Sequence, residues 1–345
     1  MNPIEIDGSH SEGGGQLLRT SLSLSLLLQE PFRISGIRAN RPNPGLQAQH
    51  LTAVNAAAAI SNAAVQGNSI GSQSLSFSPR GIFPGSHSFD IPTAGSAILV
   101  LQAILPPLLF APAPSNISVS GGTHVSWSPC FEYADKVFLP SLAMMGASAS
   151  LKLERIGFYP AGGGRISAEI TPVAGALTPL SLKEKGPLAQ ISGVSVASSL
   201  PAAIAGRQKS AALAKLVSIA CPKSIEAKAA ESPSPGTYLF LSAEYKNLAE
   251  GFFALGAKGR PAEKVGEEAA AALAKFDSSP AAVDAHLADQ LLLYCALARG
   301  TSAFTAEEIT PHFKSNALVI RQFLPKAEIS FDGNAVSVKG AGFKR

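Results

Sequence analysis

The sequence has few charged residues and no long apolar run, and both shortages exclude classes of protein. Charged residues make up 15% of its 345 residues, and the net charge at pH 7 is +4. A general nucleic-acid binder carries a dense basic stripe, so this balance favours a few placed arginines that contact a phosphate. The longest apolar run, residues 98–110, contains Gln102 and two prolines and is too short to span a bilayer. We therefore expect a soluble protein that does not bind a membrane.

Cysteine is also scarce. The three cysteines, Cys130, Cys221 and Cys295, lie far apart and are odd in number, which excludes both a disulfide framework and zinc-ligand spacing. The first residues carry acids and no apolar segment of the kind found in secretory signals. A reducing compartment is the simplest interpretation, and we expect a cytoplasmic location.

The sequence does contain a recurring order of elements. Alternating and helical apolar patterns follow one another as strand, helix, strand, helix, strand, strand, and glycine-rich turns near residues 13, 121 and 162 separate them. This order predicts an α/β fold of repeated βαβαββ units, each sheet covered on one face by two helices. The texture changes at the charged, turn-forming segment that begins at Lys183. We predict a catalytic repeat domain at 1–182 together with 280–345, and an α/β insert domain at 183–279.

Two segments of the first repeat could hold a phosphate. The turn from Glu12 to Gln16 joins a strand to a Leu/Ser helix and leaves free backbone amides at the start of that helix. A tight turn that needs positive φ explains the same glycines, and no Walker A lysine follows. Arg38 and Arg41 end the next strand and could clamp a phosphate with their guanidinium groups, or could be an exposed pair in a loop.

Polar residues inside apolar helices are the next candidates. Gln102 lies in the apolar run and needs a hydrogen-bonding partner if buried, either a side chain or a ligand. In the helix predicted for 281–299, His286, Asp289 and Gln290 share one face at i, i+3 and i+4. Such a face can bind a ligand, and an ordinary solvated helix face can also carry it.

His312 is the candidate nucleophile. Ser315 is predicted to cap the helix that follows, and Pro311 biases the chain towards extended geometry. These features place His312 in a short loop at a helix N-terminus, where the dipole favours the neutral ring and a nucleophilic nitrogen. A surface or capping histidine fits the same local pattern.

Four motifs occur in the order found in one family. They are EGGGQLLR at 12–19, GLQAQHLT at 45–52, GFYPAGGG at 157–164 and HLADQ at 286–290. The chain resembles the RNA 3′-terminal phosphate cyclases over nearly its whole length, most weakly in the insert. The resemblance implies three βαβαββ repeats interrupted by a smaller α/β insert, a fold shared with the longer enolpyruvyl transferases.

The resemblance also implies a reaction. A histidine attacks the α-phosphorus of ATP, releasing pyrophosphate and leaving a covalent histidyl-AMP. The AMP passes to an RNA 3′-phosphate, and the neighbouring 2′-hydroxyl displaces it to close a 2′,3′-cyclic phosphate. Splitting the transfer into two displacements is nucleophilic catalysis, and a divalent metal, Mg²⁺ or Mn²⁺, would neutralise phosphate oxygens.

Site residues follow from the resemblance at the positions that match the family motifs. The nucleophile is His312, and the implied ligand residues form four groups. They are ATP contacts at Gln102, His286, Leu287, Ala288, Asp289 and Gln290, an adenine sandwich of Pro129 and Phe252, phosphate and RNA-end contacts at Arg19, Arg38, Arg41, Gln49 and His50, and a metal ligand at Glu12.

The implied partners are RNA 3′-phosphate ends, because only RNA has the 2′-hydroxyl that cyclisation requires. We expect no DNA and no membrane as partners, and the sequence leaves a homodimer open. The alternative function is a catalytically inactive cyclase-like factor for ribosome assembly, which shares the fold and binds RNA. An enolpyruvyl transferase is disfavoured because it carries six such repeats.

Overall fold

Three of the four sheets in the described part of the chain share one topology. The structure is a computed structural model that describes residues 2–9 and 14–344. In each of the three sheets the first two strands are parallel, the fourth strand pairs antiparallel with the second, and the third lies at the edge. The predicted α/β fold of about three βαβαββ units with a smaller insert is confirmed.

The first repeat follows the predicted order. Its elements are β1 (Ile4–Asp7), α1 (Gly15–Leu28), β2 (Phe32–Ser35), α2 (Ala48–Ala59), β3 (Ala64–Gln66) and β4 (Ser74–Ser78). The helix predicted to follow the glycine-rich segment is α1. In the second repeat the helix between the last parallel strand and the hairpin is interrupted by a π-helical turn. Its elements are β5 (Ser86–Asp90), α3 (Ala97–Leu109), β6 (Ser115–Gly121), α4 (Phe131–Tyr133), the π turn Ala134–Phe138, α5 (Leu139–Ala143), β7 (Ser148–Arg155) and β8 (Gly164–Thr171).

The third repeat is split after its first strand. That strand, β9 (Ser181–Leu182), is followed by a unit with a sheet of its own: β10 (Leu188–Ser198), α6 (Ala203–Lys215), β11 (Lys223–Ala230), β12 (Gly236–Tyr245), β13 (Ala249–Leu255) and α7 (Ala262–Ser278). The repeat then continues with α8 (Ala285–Leu297), β14 (Thr301–Thr305), α9 (Pro311–Phe323), β15 (Glu328–Asp332) and β16 (Ala335–Lys339). Strand β9 pairs with β14 across the interruption.

Helix α1 lies at the centre of the helical layer and packs against α2, α3 and α9. All of its leucines except Leu28 are buried, and so are three serines between them. The serine hydroxyls donate to backbone carbonyls, Ser21 to Leu17 at 2.7 Å and Ser23 to Ala103 at 2.8 Å. A helix with small, internally satisfied polar residues between leucines can be enclosed on all sides, because no polar group loses its partner.

The apolar run seen in the sequence forms α3, a 13-residue helix packed against α1 and α2. At about 1.5 Å per residue it is roughly 20 Å long, shorter than a bilayer core. Within residues 2–9 and 14–344, no helix combines the length and the apolar character that crossing a membrane requires.

Two helix starts differ from the prediction. Helix α9 begins at Pro311 and not after Ser315, because Thr310 accepts the Phe313 amide at 3.1 Å and proline suits the first helical position. Ser315 instead donates to the Pro311 carbonyl at 2.8 Å inside the helix. His312 therefore lies in the first turn of α9 rather than in a preceding loop. The other difference is α8, which begins at 285 and not at 281.

Candidate active site

The start of α1 brings together four predicted site residues from three helices and one loop. A β-carbon placed on Gly14 would lie 3.3 Å from Cε1 of His312 and 3.6 Å from Nη2 of Arg41. A β-carbon placed on Gly15 would lie 2.6 Å from Cδ2 of His50 and 3.1 Å from Nη1 of Arg19.

The two glycines allow these side chains to approach the backbone. Any side chain on Gly15 would collide with the His50 ring, so the close approach requires glycine at this position. Gly14 is also the N-cap of α1 and has no side chain with which to cap it. The first amides of α1 are thus next to a histidine and a guanidinium, an arrangement that suits an anion.

Asp289 of α8 is held by polar side chains from two other helices. The Gln16 amide donates to both carboxylate oxygens at 2.6 Å, and the Asn316 amide donates to Oδ1 at 3.1 Å. Asn316 accepts in turn from the hydroxyl of Thr20 at 2.8 Å. This network fixes α8 and α9 against the first turns of α1.

Burial works against the charge on both Asp289 and Arg19. It raises the pKa of Asp289, while the Gln16 amide and the nearby His312 counteract that rise. Burial likewise lowers the pKa of Arg19 to about 10, opposed by the Asp289 carboxylate. The Asp289 carboxylate therefore favours the charge on Arg19, whereas Arg19 is the weakest of the groups that counteract the effect of burial on Asp289.

His50 is a buried, neutral histidine. The Gln47 amide donates to its Nδ1 at 3.2 Å in a capping box at the start of α2, so Nδ1 is the acceptor and Nε2 carries the proton. Burial, together with the charges of Arg19 and Arg38, lowers the pKa of His50 to about 3. A neutral ring with a fixed tautomer is suited to donate one hydrogen bond at the start of α1.

This depressed pKa predicts an acid-sensitive fold. The pKa falls from 6.5 to about 3 on folding, so the unfolded chain binds the proton more readily between these values. The stability is fully present above about pH 6.5 and is lost as the pH falls, by at most about 1.4 kcal/mol per pH unit. We expect His50→Gln to flatten the unfolding free energy between about pH 6.5 and pH 4.5. Urea unfolding at several pH values measures this.

Glutamine is the matched replacement for His50 because it also accepts at the third position of a capping box. It keeps the cap and removes the titrating ring. Parallel pH profiles for the two proteins would contradict the assignment of the acid sensitivity to His50.

Arg38 is held by its own loop. Its backbone has a φ of +54°, and its guanidinium donates to the Gly45 carbonyl at 3.0 Å and to the Asn43 carbonyl. Burial and the nearby charge of Arg41 lower its pKa. Two guanidinium groups this close repel one another, and a bound anion would relieve that repulsion.

Three glutamines predicted as ligand contacts also bond within the protein. Gln49 accepts the Ser96 amide at 2.9 Å, which ties α2 to the start of α3. Gln102 donates to Oε1 of Gln290 at 2.9 Å, so its partner in this structure is a side chain. This bond links α3 to α8.

The remaining predicted residues are spread more widely. His286 is exposed on the first turn of α8 and Pro129 is half-buried, whereas the side chains of Leu287 and Ala288 are fully buried in the core. Phe252 is also buried, with its ring 5.6 Å from that of Phe276 in the insert. The buried side chains of Leu287, Ala288 and Phe252 therefore do not join the residues that lie around the start of α1.

The predicted metal ligand, Glu12, lies outside the described residues. Among residues 2–9 and 14–344, no group of three or more histidine, cysteine, aspartate or glutamate side chains could hold a metal ion.

Gln16, Thr20 and Asn316 were not predicted from the sequence as site residues. Asn316 occupies the buried face of α9 between Phe313 and Ile320, and Thr20 is buried in α1. Polar residues at core-facing positions of an amphipathic helix need partners, and that signal was available from periodicity.

The start of α8 is fixed by the second repeat and the insert. Asp284 caps α8 by accepting the Leu287 amide at 2.7 Å, and Tyr133 donates to the same carboxylate at 2.8 Å. The Asp284 amide donates to Glu250 of β13 at 3.1 Å. Burial and the nearby Asp284 raise the pKa of Glu250 well above its usual range.

Comparisons with known proteins agree with the motifs. The model of the family described as RNA 3′-terminal phosphate cyclase matches residues 10–329. A protein of that name from Koribacter versatilis is 47% identical over 98% of this chain and 95% of its own length. The protein of the same name from Ralstonia nicotianae is 46% identical over 93% of this chain and 92% of its own length. The one from Pyrobaculum neutrophilum is 42% identical over 99% of this chain and 99% of its own length.

Among solved structures, the enolpyruvyl transferase NikO from Streptomyces tendae aligns with 100% of this chain and 49% of its own, at 12% identity and a TM-score of 0.41. That similarity is too low to carry an argument. The family model and the full-length relatives show that the chain belongs to the RNA 3′-terminal phosphate cyclases, a family of enzymes.

Proposed function

We propose that this chain converts an RNA 3′-terminal phosphate to a 2′,3′-cyclic phosphodiester at the expense of ATP. The observation that carries the proposal is the position of His312, beside Arg41 and the start of α1. A nucleophile, a guanidinium and the N-terminal backbone amides of α1 lie close together there. A transfer from ATP needs a nucleophile to attack the phosphorus and positive or hydrogen-bonding groups to bind the phosphates. The family membership supports the same reaction.

In the proposed first step a ring nitrogen of His312 bonds to the α-phosphorus of ATP. The bond from that phosphorus to the bridging oxygen breaks, and pyrophosphate leaves with the bonding electrons. An oxygen of the RNA 3′-phosphate then displaces His312 from the phosphorus and forms an RNA-adenylate. Finally the 2′-hydroxyl oxygen attacks the 3′-phosphorus, AMP leaves, and the hydroxyl proton is lost to solvent or a base.

The surrounding residues would bind and orient these phosphates. Arg19, Arg38 and Arg41 supply positive charge, and the neutral His50 supplies one hydrogen bond. Asp289 lies close enough for the charge of His312 to lower the pKa of Asp289, so this carboxylate would favour the positive ring that forms when a nitrogen of His312 bonds to the phosphorus. Exposed His286 and half-buried Pro129 are the proposed contacts for the adenine.

A divalent metal remains part of the proposal, with Glu12 as its ligand. When bound it would neutralise phosphate oxygens during each displacement. Phe252, Leu287 and Ala288 are not part of the proposed contact set, because their side chains are buried in the core.

We also propose that residues 183–279 fold as an insert domain. Strands β10–β13 form one sheet and pair with no other strand in residues 2–9 and 14–344, and α6 and α7 pack on them. A cytoplasmic location is proposed because all three cysteines are free, as expected in a reducing compartment.

The direct test is conversion of a 3′-phosphorylated oligoribonucleotide in the presence of ATP and Mg²⁺. We expect a product that resists phosphatase and that does not form without ATP. The matched control is the same strand with a 2′-deoxy terminal nucleotide, which we expect to be adenylated but not cyclised. Binding of RNA without conversion of the first substrate would instead favour the inactive assembly factor.

A further inference from the structure

Two large aromatic side chains of the second repeat are exposed and have no role in the reaction described above. Trp127, the one tryptophan of the chain, is 98% exposed, and Tyr159 is 78% exposed. Trp127 lies in the loop between β6 and α4, and Tyr159 lies in the turn between β7 and β8. Leaving such rings in water is unfavourable, so their exposure calls for an explanation.

The two loops that carry these rings are joined to each other. The amide of Thr123 donates to the Gly157 carbonyl at 2.9 Å, and the Gly157 amide donates back to the Thr123 hydroxyl at 2.9 Å. The residue before Tyr159, Phe158, is buried and its ring centroid lies 5.8 Å from that of buried His124. The two loops that carry Trp127 and Tyr159 are therefore fixed to each other by hydrogen bonds and by buried side chains.

Trp127 is also held in an unfavourable backbone conformation. Its φ is +64°, in the left-handed region that a bulky side chain rarely adopts. Such conformations persist where the surrounding structure imposes them, and they are concentrated at functional sites.

Two arginines flank the turn that carries Tyr159. Arg155 ends β7 and Arg165 lies directly opposite it in β8, and both are exposed. The nearest acidic partner is Glu154, whose carboxylate is 4.0 Å from Nε of Arg165. Like charges directly opposite one another destabilise a strand pair, and a phosphate between them would remove that cost.

Packed loops link the turn that carries Tyr159 to the proposed active site. Gly162 is in the same turn as Tyr159, and a β-carbon placed on it would lie 2.6 Å from the carbonyl oxygen of Thr93. Gly95 follows Thr93 by two residues, and a β-carbon placed on Gly95 would lie 2.8 Å from Cβ of Gln49, a proposed contact for the RNA end. A strand whose terminal phosphate lies near Gln49 can therefore extend across this region to the rings.

We propose that Trp127 and Tyr159 form a stacking platform for unpaired bases of the RNA strand that ends in the 3′-phosphate. Arg155 and Arg165 would contact its backbone phosphates. Exposed aromatic rings combined with cations are the features by which proteins bind single-stranded nucleic acid with little sequence preference. The proposal rests on the proposed function, because it names how that site holds its RNA.

The lone tryptophan makes the platform directly observable. We expect a single-stranded, 3′-phosphorylated oligoribonucleotide of about ten nucleotides to quench its fluorescence without ATP present. A blunt duplex of the same sequence should quench far less, because its bases are already stacked. Binding that saturates by anisotropy of a labelled strand, with unchanged tryptophan fluorescence, would overturn the proposal.

Variants separate the platform from the reaction. We expect Trp127→Ala and Tyr159→Ala each to raise the KM for the oligoribonucleotide about tenfold with kcat unchanged. Tyr159→Phe should behave as the original protein, and so should Phe83→Ala, an exposed ring at the opposite end of the same sheet. An unchanged KM in both alanine variants would also refute the platform.

Salt dependence tests the arginines, and one assay separates failure of the platform from failure of the enzyme. Arg155→Gln should reduce the slope of log affinity against log salt by about 0.7 for each phosphate that the protein no longer neutralises. Transfer of label from α-labelled ATP to the polypeptide requires no RNA and neither ring. Its absence from the original protein would refute the proposed function, whereas its presence with no effect of the alanine variants would refute the platform alone.

Discussion

Replacing His312 by alanine is expected to abolish transfer of label from α-labelled ATP to the polypeptide. The change removes the nitrogen proposed to bond to the α-phosphorus, and His50, also beside the start of α1, has its Nδ1 engaged as the acceptor of the Gln47 amide. We expect cyclisation to fall by at least about a thousandfold, as when an enzyme loses its nucleophile. The assay is gel autoradiography after incubation with ATP and Mg²⁺.

The fold should survive this change. His312 is half-buried in the first turn of α9, and the cap of that helix is Thr310. The circular dichroism spectrum and melting temperature should therefore match those of the original protein. The matched control is His87→Ala, a histidine of β5 in another repeat, which should keep full labelling. Persistent labelling of the His312 variant would refute the proposed mechanism.

Replacing Glu132 by alanine should cause a large loss of stability. Glu132 is buried in α4, where Oε2 lies 2.7 Å from Nε2 of His124 and Oε1 accepts from the hydroxyl of Tyr238. Burial opposes its ionisation, but the charge and hydrogen bond of His124 outweigh burial and lower the pKa of Glu132 to about 2. Alanine would leave a buried histidine and a buried phenol without this partner, at a cost of about 3–5 kcal/mol.

Urea unfolding at neutral pH measures the cost. Glu132→Gln can still bond to both partners and should lose less, because it removes only the charge. The matched control is Glu263→Ala, which breaks the exposed pair with Arg207 and should leave the unfolding free energy nearly unchanged. Similar losses for Glu132→Ala and Glu263→Ala would contradict the importance of the buried pair.

Removing the Glu132 carboxylate should also weaken the contact between the insert and the second repeat. Tyr238 belongs to β12 of the insert, and Glu132 belongs to the second repeat. Because folding lowers the pKa of Glu132, the original protein itself loses stability as the pH falls from 4.5 towards 2, so the difference between it and the alanine variant should shrink over that range.

The repeated architecture could be predicted because its signals are local. The predicted order of strand, helix, strand, helix, strand, strand is the observed order of the first repeat, and the helix predicted after the turn from Glu12 to Gln16 is α1. Periodicity and turn residues act over a few positions, so a single sequence carries them. The start of α9 was placed wrongly because two capping residues competed, and Thr310 combined with Pro311 is the stronger start.

The sequence by itself determined the helices and strands, the motifs and, through them, the family. Only the tertiary structure decided which residues meet. Asp289 is bonded to Gln16, 273 positions away, and Asn316 to Thr20, 296 positions away. It also decided that Phe252 is buried beside Phe276, and that β9 belongs with β14 across the insert. Such contacts depend on how distant elements pack, and neither propensity nor periodicity along the chain records that packing.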